Sequence, residues 1–112
     1  MFQITEHMKT ISVKDLKYKL DNEKIQLIDV REPYEFAICA LPKSINIPMG
    51  ELSDRYDEIK RDIEVYISCK SGKRAEAVAN FLETEYSYDK VTIVEGGIIA
   101  YIEEVDSSLE VY

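Results

Sequence analysis

Three short apolar runs constrain the fold of this chain more than any other feature of its sequence. Residues 25–30, 63–68 and 91–94 consist largely of Ile, Leu and Val, which is typical of strands buried on both faces of a sheet. Segments with helical spacing of apolar residues separate these runs. Buried strands that alternate with helices form right-handed βαβ units. The sequence therefore predicts an α/β fold, with a mostly parallel sheet flanked by helices.

Two of the helical segments carry clear signals of where they begin and which face they bury. Ser12 is a suitable N-cap for a helix over residues 13–20, because its side chain can accept a hydrogen bond from the first turn. The helix predicted over residues 73–85 has one apolar face at helical spacing, formed by Ala75, Val78, Ala79 and Leu82. The other predicted elements are strands over residues 10–12 and 44–47 and helices over residues 33–37, 51–60 and 98–104.

Length and charge limit the classes of protein to which the chain can belong. Its 112 residues, 46% of them hydrophobic, suffice for one globular domain, which we expect to span residues 1–112. The 22 acidic and 14 basic residues give a formal net charge of −8, which argues against nucleic acid or an anionic membrane as partner. No apolar run approaches the roughly 18 residues of a membrane-spanning helix, and the opening segment lacks the apolar stretch of a signal peptide. Two cysteines suit a reducing compartment, so we expect a cytoplasmic protein.

The cysteine loop, residues 69–74, carries the residues with chemical potential. Cys69 follows a predicted buried strand, and the best predicted helix begins within the same loop. Backbone N–H groups of such a loop and of the first helical turn have no intrahelical partners, so they can bind an anion. Gly72 permits the backbone conformations of a tight cradle. We expect an anion cradle built from the amides of Lys70, Ser71, Gly72, Lys73 and Arg74.

The charges of the loop oppose the net charge of the chain. Lys70, Lys73 and Arg74 place three cations within five residues of an otherwise acidic protein, which concentrates positive potential at one point. Such a setting favours a thiolate, so we expect Cys69 to be a largely ionised nucleophile at neutral pH. The alternative interpretation is a buried structural cysteine followed by a solvated basic turn.

Three motifs resemble those of the rhodanese-homology domain and occur in the order of that family. They are Cys-x-x-Gly-x-Arg at residues 69–74, Leu-Ile-Asp-Val-Arg-Glu-Pro at residues 27–33, and Val-Glu-Gly-Gly-Ile at residues 94–98. The resemblance extends from about Ile11 to the C-terminus and implies a five-stranded parallel sheet. It also implies that the Cys69 thiolate takes a sulfane sulfur from thiosulfate or another persulfide, holds it as Cys–S–S⁻ and passes it to a second nucleophile. We therefore expect a sulfurtransferase without a cofactor, whose Lys70 and Arg74 attract a small anionic sulfur donor such as thiosulfate.

Other short segments resemble the rhodanese domain of adenylyltransferase–sulfurtransferases. These segments are residues 69–72, residues 38–42 and the acidic stretch after Gly96 and Gly97. Such bifunctional proteins sulfurate a small ubiquitin-like carrier at its C-terminus. The resemblance thus implies a ubiquitin-like sulfur carrier or a persulfide-bearing protein as partner. Because the chain has no adenylating domain, it is expected to be either a free-standing relative or one domain of a larger protein.

Two other functions are alternatives for the same loop. Cysteine phosphatases and related arsenate reductases use a similar strand, loop and helix with Cys-x5-Arg, whereas four residues separate Cys69 from Arg74. The smaller ring suits a single sulfur atom better than a phosphate. The second alternative is a non-catalytic interaction module that keeps the fold as a docking surface, and the intact cysteine loop argues against it.

Residues outside the cysteine loop have predicted supporting roles. Asp29 and Arg31 follow the second buried run, and a parallel sheet would place them beside the cysteine loop. Arg31 is predicted to pair with Glu35 and so to brace the wall of the site. The glycine pair at residues 96–97 is predicted to open the last helix close to the same loop.

The remaining cysteine and the histidine have predicted structural or neutral roles. Cys39 lies among apolar residues, so we expect it to be a small buried hydrophobic residue. The alternative is a resolving thiol for a persulfide on Cys69. His7 is the only histidine and is expected to be exposed; with no Cys-x-x-Cys motif, the sequence argues against a metal site.

Overall fold

Five parallel strands form the centre of the molecule in the computed structural model, which describes residues 8–109. The strands are β1 (Lys9–Ile11), β2 (Gln26–Asp29), β3 (Ile45–Asn46), β4 (Val65–Ser68) and β5 (Val91–Val94). Their order in the sheet is β1-β5-β4-β2-β3, and each neighbouring pair is parallel. The predicted α/β fold with a parallel sheet is confirmed. His7, predicted to be exposed, lies outside the described residues.

Helices flank both faces of this sheet, as the sequence predicts. They are α1 (Val13–Asn22), α2 (Pro33–Ile38), α3 (Leu52–Arg55), α4 (Lys73–Glu85) and α5 (Gly97–Glu104). The hydroxyl of Ser12 accepts a hydrogen bond from the N–H of Asp15, which confirms Ser12 as the N-cap of α1. The apolar face predicted for α4 is buried along its whole length. Within residues 8–109, every helix is too short or too polar to span a lipid bilayer.

The helix predicted over residues 51–60 is wrong in its length. A 3-10 turn over Met49–Glu51 precedes the single turn of α3, and a second 3-10 turn over Tyr56–Glu58 follows it. The hydroxyl of Tyr88 donates to the carbonyls of Tyr56 (2.9 Å) and Ile59 (2.6 Å), which a continuing helix would use for its own N–H groups. A contact from the segment before β5 therefore overrides the local helical pattern.

Alternation along the strands divides the buried core into two layers. Ile28, Ile67 and Ile93 pack with residues of α3 and α4 on one face of the sheet. Leu27 and Tyr66 pack with residues of α1 and α5 on the other face. Cys69 belongs to the first layer, so its side chain lies on the side of the sheet that α4 covers.

Candidate active site

The cysteine loop lies at the carboxyl edge of the sheet, between the ends of β2 and β5. In the register of β2 and β4, Asp29 is opposite Ser68, and the N–H of Val30 donates to the Ser68 carbonyl over 3.0 Å. The loop therefore begins directly beside the segment that carries Asp29 and Arg31. The structure brings together the two segments that the sequence predicts to be neighbours.

Backbone donors of the loop hold the sulfur of Cys69. Its Sγ accepts hydrogen bonds from the N–H groups of Gly72 (3.0 Å) and Ala75 (3.4 Å). Gly72 is the N-cap of α4 and has φ +113°, a left-handed conformation that side chains disfavour. The tight turn that aims its amide at the sulfur therefore depends on glycine at this position.

Ala75 is a donor outside the cradle that the sequence predicts, because that cradle ends at residue 74. The first intrahelical bond of α4 runs from the N–H of Glu76 to the carbonyl of Gly72. The N–H of Ala75 thus belongs to the first helical turn, whose amides have no partner within the helix. Counting the third helical position as a donor would have identified it from the sequence.

Burial shields the Cys69 side chain from most contact with water. Only 1% of the Cys69 surface is exposed, although Ser71 and Lys73 of the same loop are exposed. A buried polar or charged atom is costly unless hydrogen bonds replace those it made with water. The two amide donors supply that replacement for a sulfur anion, and they require no rearrangement when the charge forms.

The start of α5 packs against the backbone of the cysteine loop. The N–H groups of Ile98 and Ile99 donate to the carbonyls of Cys69 (2.9 Å) and Lys70 (3.1 Å). Gly97 has φ +57°, and a Cβ at this position would lie 2.3 Å from the Cys69 carbonyl oxygen. The close approach therefore requires a glycine, and the predicted position of the glycine pair beside the loop is confirmed.

A buried ion pair lies at the end of β2. Arg31 and Asp29 have side chains that are 0% and 1% exposed, and Nη2 of Arg31 lies 2.7 Å from Oδ2 of Asp29. The Arg31 guanidinium also donates to the carbonyl of Cys39, the residue that follows α2. These contacts fix both ends of the segment that contains α2.

Glu35, on α2, forms its ion pair with Arg74, whereas the sequence predicts Arg31 as its partner. Nη1 of Arg74 lies 2.7 Å from Oε1 of Glu35, and Nη2 donates to Oε2 over 3.2 Å. Arg31 is instead directed toward Asp29, because both side chains are buried at the end of β2. Its charge still acts on Glu35, but more weakly than Arg74.

The hydrogen bond from Arg74 is the main cause that lowers the pKa of the Glu35 carboxyl below its ordinary value. The same contact raises the pKa of Arg74, so both groups are held in their charged forms. A bond from the N–H of Glu32 to Oε1 of Glu35 fixes the carboxylate in a capping box at the start of α2. Neither contact is among the sequence predictions, and the one with Arg74 spans 39 positions.

The two cysteines lie on different sides of the sheet. Cys39 is 5% exposed and packs in the layer of α1 and α5, whereas Cys69 packs in the layer of α4. No disulfide joins Cys39 and Cys69. The environment of Cys39 agrees with its interpretation as a small buried hydrophobic residue and does not favour its interpretation as a resolving thiol.

Comparison with known proteins decides the family. The family model of the rhodanese-like domain matches residues 12–104. The chain belongs to the rhodanese-like domain family. A rhodanese-like domain protein from Staphylococcus aureus, whose crystal structure is known, superposes with a TM-score of 0.79 at 34% identity, over 94% of this chain and 99% of that chain. The resemblance and the rhodanese-like fold expected from the sequence are both confirmed.

Two relatives of this rhodanese-like domain carry names that describe sulfur chemistry. The putative sulfurtransferase YtwF of Bacillus subtilis (strain 168) is 36% identical over 95 residues, which cover 84% of this chain and 90% of that protein. The adenylyltransferase and sulfurtransferase MOCS3 of Drosophila persimilis is 29% identical over 116 residues, which cover 97% of this chain. The chain spans only 26% of the length of this second relative.

Proposed function

We propose that this rhodanese-like domain is a sulfurtransferase that carries sulfur as a persulfide on Cys69. Family membership and relatives named as sulfurtransferases support sulfur transfer in general. The observation that carries the specific proposal is the convergence of the Gly72 and Ala75 N–H groups on Sγ of Cys69. Fixed donors of this kind stabilise an anionic sulfur in a site that excludes water.

The proposed reaction has two half-reactions that balance without an external oxidant. The Cys69 thiolate attacks the sulfane sulfur of thiosulfate, and a sulfur–sulfur bond forms at Sγ. The bond between the sulfane sulfur and the sulfonate sulfur breaks, and sulfite leaves with the electron pair. A second nucleophile, such as a thiolate or cyanide, then attacks the outer sulfur of Cys–S–S⁻ and releases the Cys69 thiolate.

The cysteine loop is proposed to bind the persulfide through its backbone and to attract the donor through its lysines. Of the predicted cradle amides at residues 70–74, that of Gly72 donates to Sγ of Cys69, and the amide of Ala75 adds a second donor. Lys70 and Lys73 are proposed to supply positive charge near the sulfur. Arg74 contributes less field than the sequence suggests, because its charge is opposed by Glu35 at 2.7 Å. The buried ion pair of Asp29 and Arg31 at the end of β2 is proposed to support the segment beside the cysteine loop.

The proposed donor is a small anion that contains sulfane sulfur, such as thiosulfate, or a persulfide-bearing protein. A ubiquitin-like sulfur carrier is the proposed acceptor if this domain serves the role that the adenylyltransferase–sulfurtransferase resemblance implies. A relative from Bacillus subtilis (strain 168), 33% identical over 87 residues, is named a putative sulfur carrier protein. This name supports transfer of sulfur to or from a protein partner.

Intact mass after incubation with thiosulfate tests the proposal. The reduced protein should gain about 32 Da, the mass of one sulfur atom, and cyanide should reverse the gain. Cys69→Ser should show no gain, and Cys39→Ser is the matched control that keeps it. If the wild type gains no sulfur and alkylates slowly at Cys69, the interaction module becomes the better interpretation. Hydrolysis of p-nitrophenyl phosphate without sulfur loading would favour the phosphatase instead.

A further inference from the structure

We propose that Glu35 weakens the binding of free oxyanions in the cysteine loop by engaging the guanidinium of Arg74. The inference goes beyond the proposed function, because it concerns how tightly the loop binds free oxyanions, thiosulfate included, before any sulfur is transferred. It rests on an ion pair between α2 and α4 that engages both terminal nitrogens of one guanidinium. The inference does not require Glu35 or Arg74 to take part in sulfur transfer.

Arg74 is within electrostatic reach of the sulfur site. It lies in the first turn of α4, directly before Ala75, whose N–H contacts Sγ of Cys69. After Glu35, the charges of Cys69 and Asp29 are among those that act on its guanidinium. A free guanidinium at such a place would be well suited to a tetrahedral oxyanion, since its parallel N–H groups match two oxygen atoms at once.

Glu35 occupies those N–H groups with a carboxylate that is itself firmly held. The Glu35 side chain is 7% exposed, and its Oε1 also accepts a hydrogen bond from the N–H of Glu32. Pro33 occupies the start of α2 and further restricts the backbone of this short helix. A free anion would have to displace a buried, preorganised carboxylate in order to reach the two N–H groups of Arg74 that face Glu35.

Charge compensation distinguishes a site for a persulfide from a site for a phosphate or sulfate. The carboxylates of Asp29 and Glu35 balance the guanidinium groups of Arg31 and Arg74. A persulfide carries one negative charge and is held covalently, so two amide donors are adequate for it. A free dianionic oxyanion, thiosulfate included, needs a strong cationic partner to offset its lost hydration. Glu35 weakens that partner, so such an anion is held only weakly until its sulfur is transferred.

Titration with inorganic sulfate tests this inference without any sulfur transfer. Sulfate is added to the reduced wild type and to Glu35→Gln at constant ionic strength, and NMR shifts of the Gly72 and Ala75 amides report binding. We expect the dissociation constant for sulfate to fall by about tenfold in Glu35→Gln, because one charge-assisted, bidentate contact becomes available. Glu51→Gln, which removes an exposed carboxylate from Arg55 instead, should bind sulfate like the wild type.

The double variant Glu35→Gln/Arg74→Met should return to the wild-type affinity. Unchanged or weaker sulfate binding by Glu35→Gln would overturn the inference. Tighter binding that persists in the double variant would also overturn it, because the gain would then come from the lost charge of Glu35 and not from Arg74. If Glu35→Gln does not fold, the wild type provides the test. The NMR signals of the Arg74 guanidinium should not shift when sulfate is added. A shift as large as that of the Gly72 and Ala75 amides would overturn the inference. If the wild type gains no sulfur from thiosulfate but Glu35→Gln binds sulfate about ten times more tightly, the proposed function is wrong and the role of Glu35 stands.

Discussion

Gly97 and Cys69 are in backbone contact across the carboxyl edge of the sheet, and the contact leaves no room for a side chain. A Cβ on Gly97 would lie 2.3 Å from the Cys69 carbonyl oxygen and 2.6 Å from that of Lys70. The carbonyls are in turn fixed by N–H groups of α5. The geometry of the sulfur cradle therefore depends on a residue that the strand–loop–helix motif itself does not contain.

Gly97→Ala is expected to destabilise the protein by about 3 kcal/mol. The positive φ of Gly97 costs an L-residue about 1–2 kcal/mol, and the clash with two carbonyls adds the strain of overpacking. Urea unfolding measures the change. Gly50→Ala is the matched control, since a Cβ at Gly50 meets no atom within 4 Å, and its effect should stay within about 1 kcal/mol. Equal effects at both glycines would contradict the close contact.

Acidification is expected to remove the stability that the Glu35–Arg74 pair provides. Because the pKa of Glu35 is lowered on folding, chiefly by the hydrogen bond from Arg74, the contribution is complete above the ordinary carboxyl value of 4.5. It is lost as the pH falls through the depressed value in the folded state. The difference in unfolding free energy between wild type and Glu35→Gln should therefore shrink as the pH falls below 4.5.

A comparison at each pH isolates this effect. Glu58 and Asp106 also have lowered pKa values, owing chiefly to Arg55 and Ser108 respectively, but both are present in wild type and variant alike. Their effects cancel in the difference. A difference that stays constant from about pH 7 to pH 3 would show that the ion pair does not stabilise the fold.

Cys39→Ser is expected to leave sulfur loading on Cys69 unchanged while it lowers stability. The substitution places a hydroxyl in an apolar layer at a cost of about 1–3 kcal/mol, whereas the opposite layer with Cys69 is untouched. Intact mass measures loading, and thermal unfolding measures stability. A mass loss of about 2 Da in the mildly oxidised wild type that disappears in Cys39→Ser would instead support a resolving thiol.

Tyr88→Phe is expected to lower the free energy of unfolding by about 1–2 kcal/mol without affecting sulfur loading. The hydroxyl donates to the carbonyls of Tyr56 and Ile59, and its loss leaves buried acceptors without this donor. Urea unfolding gives the change. Tyr18→Phe is the matched control, because Tyr18 is 65% exposed and should tolerate the loss of its hydroxyl. A Tyr88→Phe protein as stable as the wild type would contradict this account of how the helical segment ends.

Local sequence determined the elements and the composition of the cysteine loop. The apolar runs became β2, β4 and β5, Ser12 caps α1, and α4 has the bounds that its apolar face predicts. These features depend on residues that are close in sequence, because burial periodicity and capping act within a few positions. The order of Cys69, Gly72 and the first turn of α4 is equally local, so the sequence alone indicated an anion cradle.

Tertiary structure alone decided the partners of the charged and aromatic residues around that loop. Glu35 pairs with Arg74 rather than Arg31 because α2 presents it to α4, across 39 positions of sequence. Tyr88 ends a helical pattern that lies about thirty positions earlier, and the sheet separates Cys39 from Cys69. Each of these side chains has several residues of suitable chemistry within its reach in the sequence. Only the packing of one helix or strand against another determines which of them it contacts.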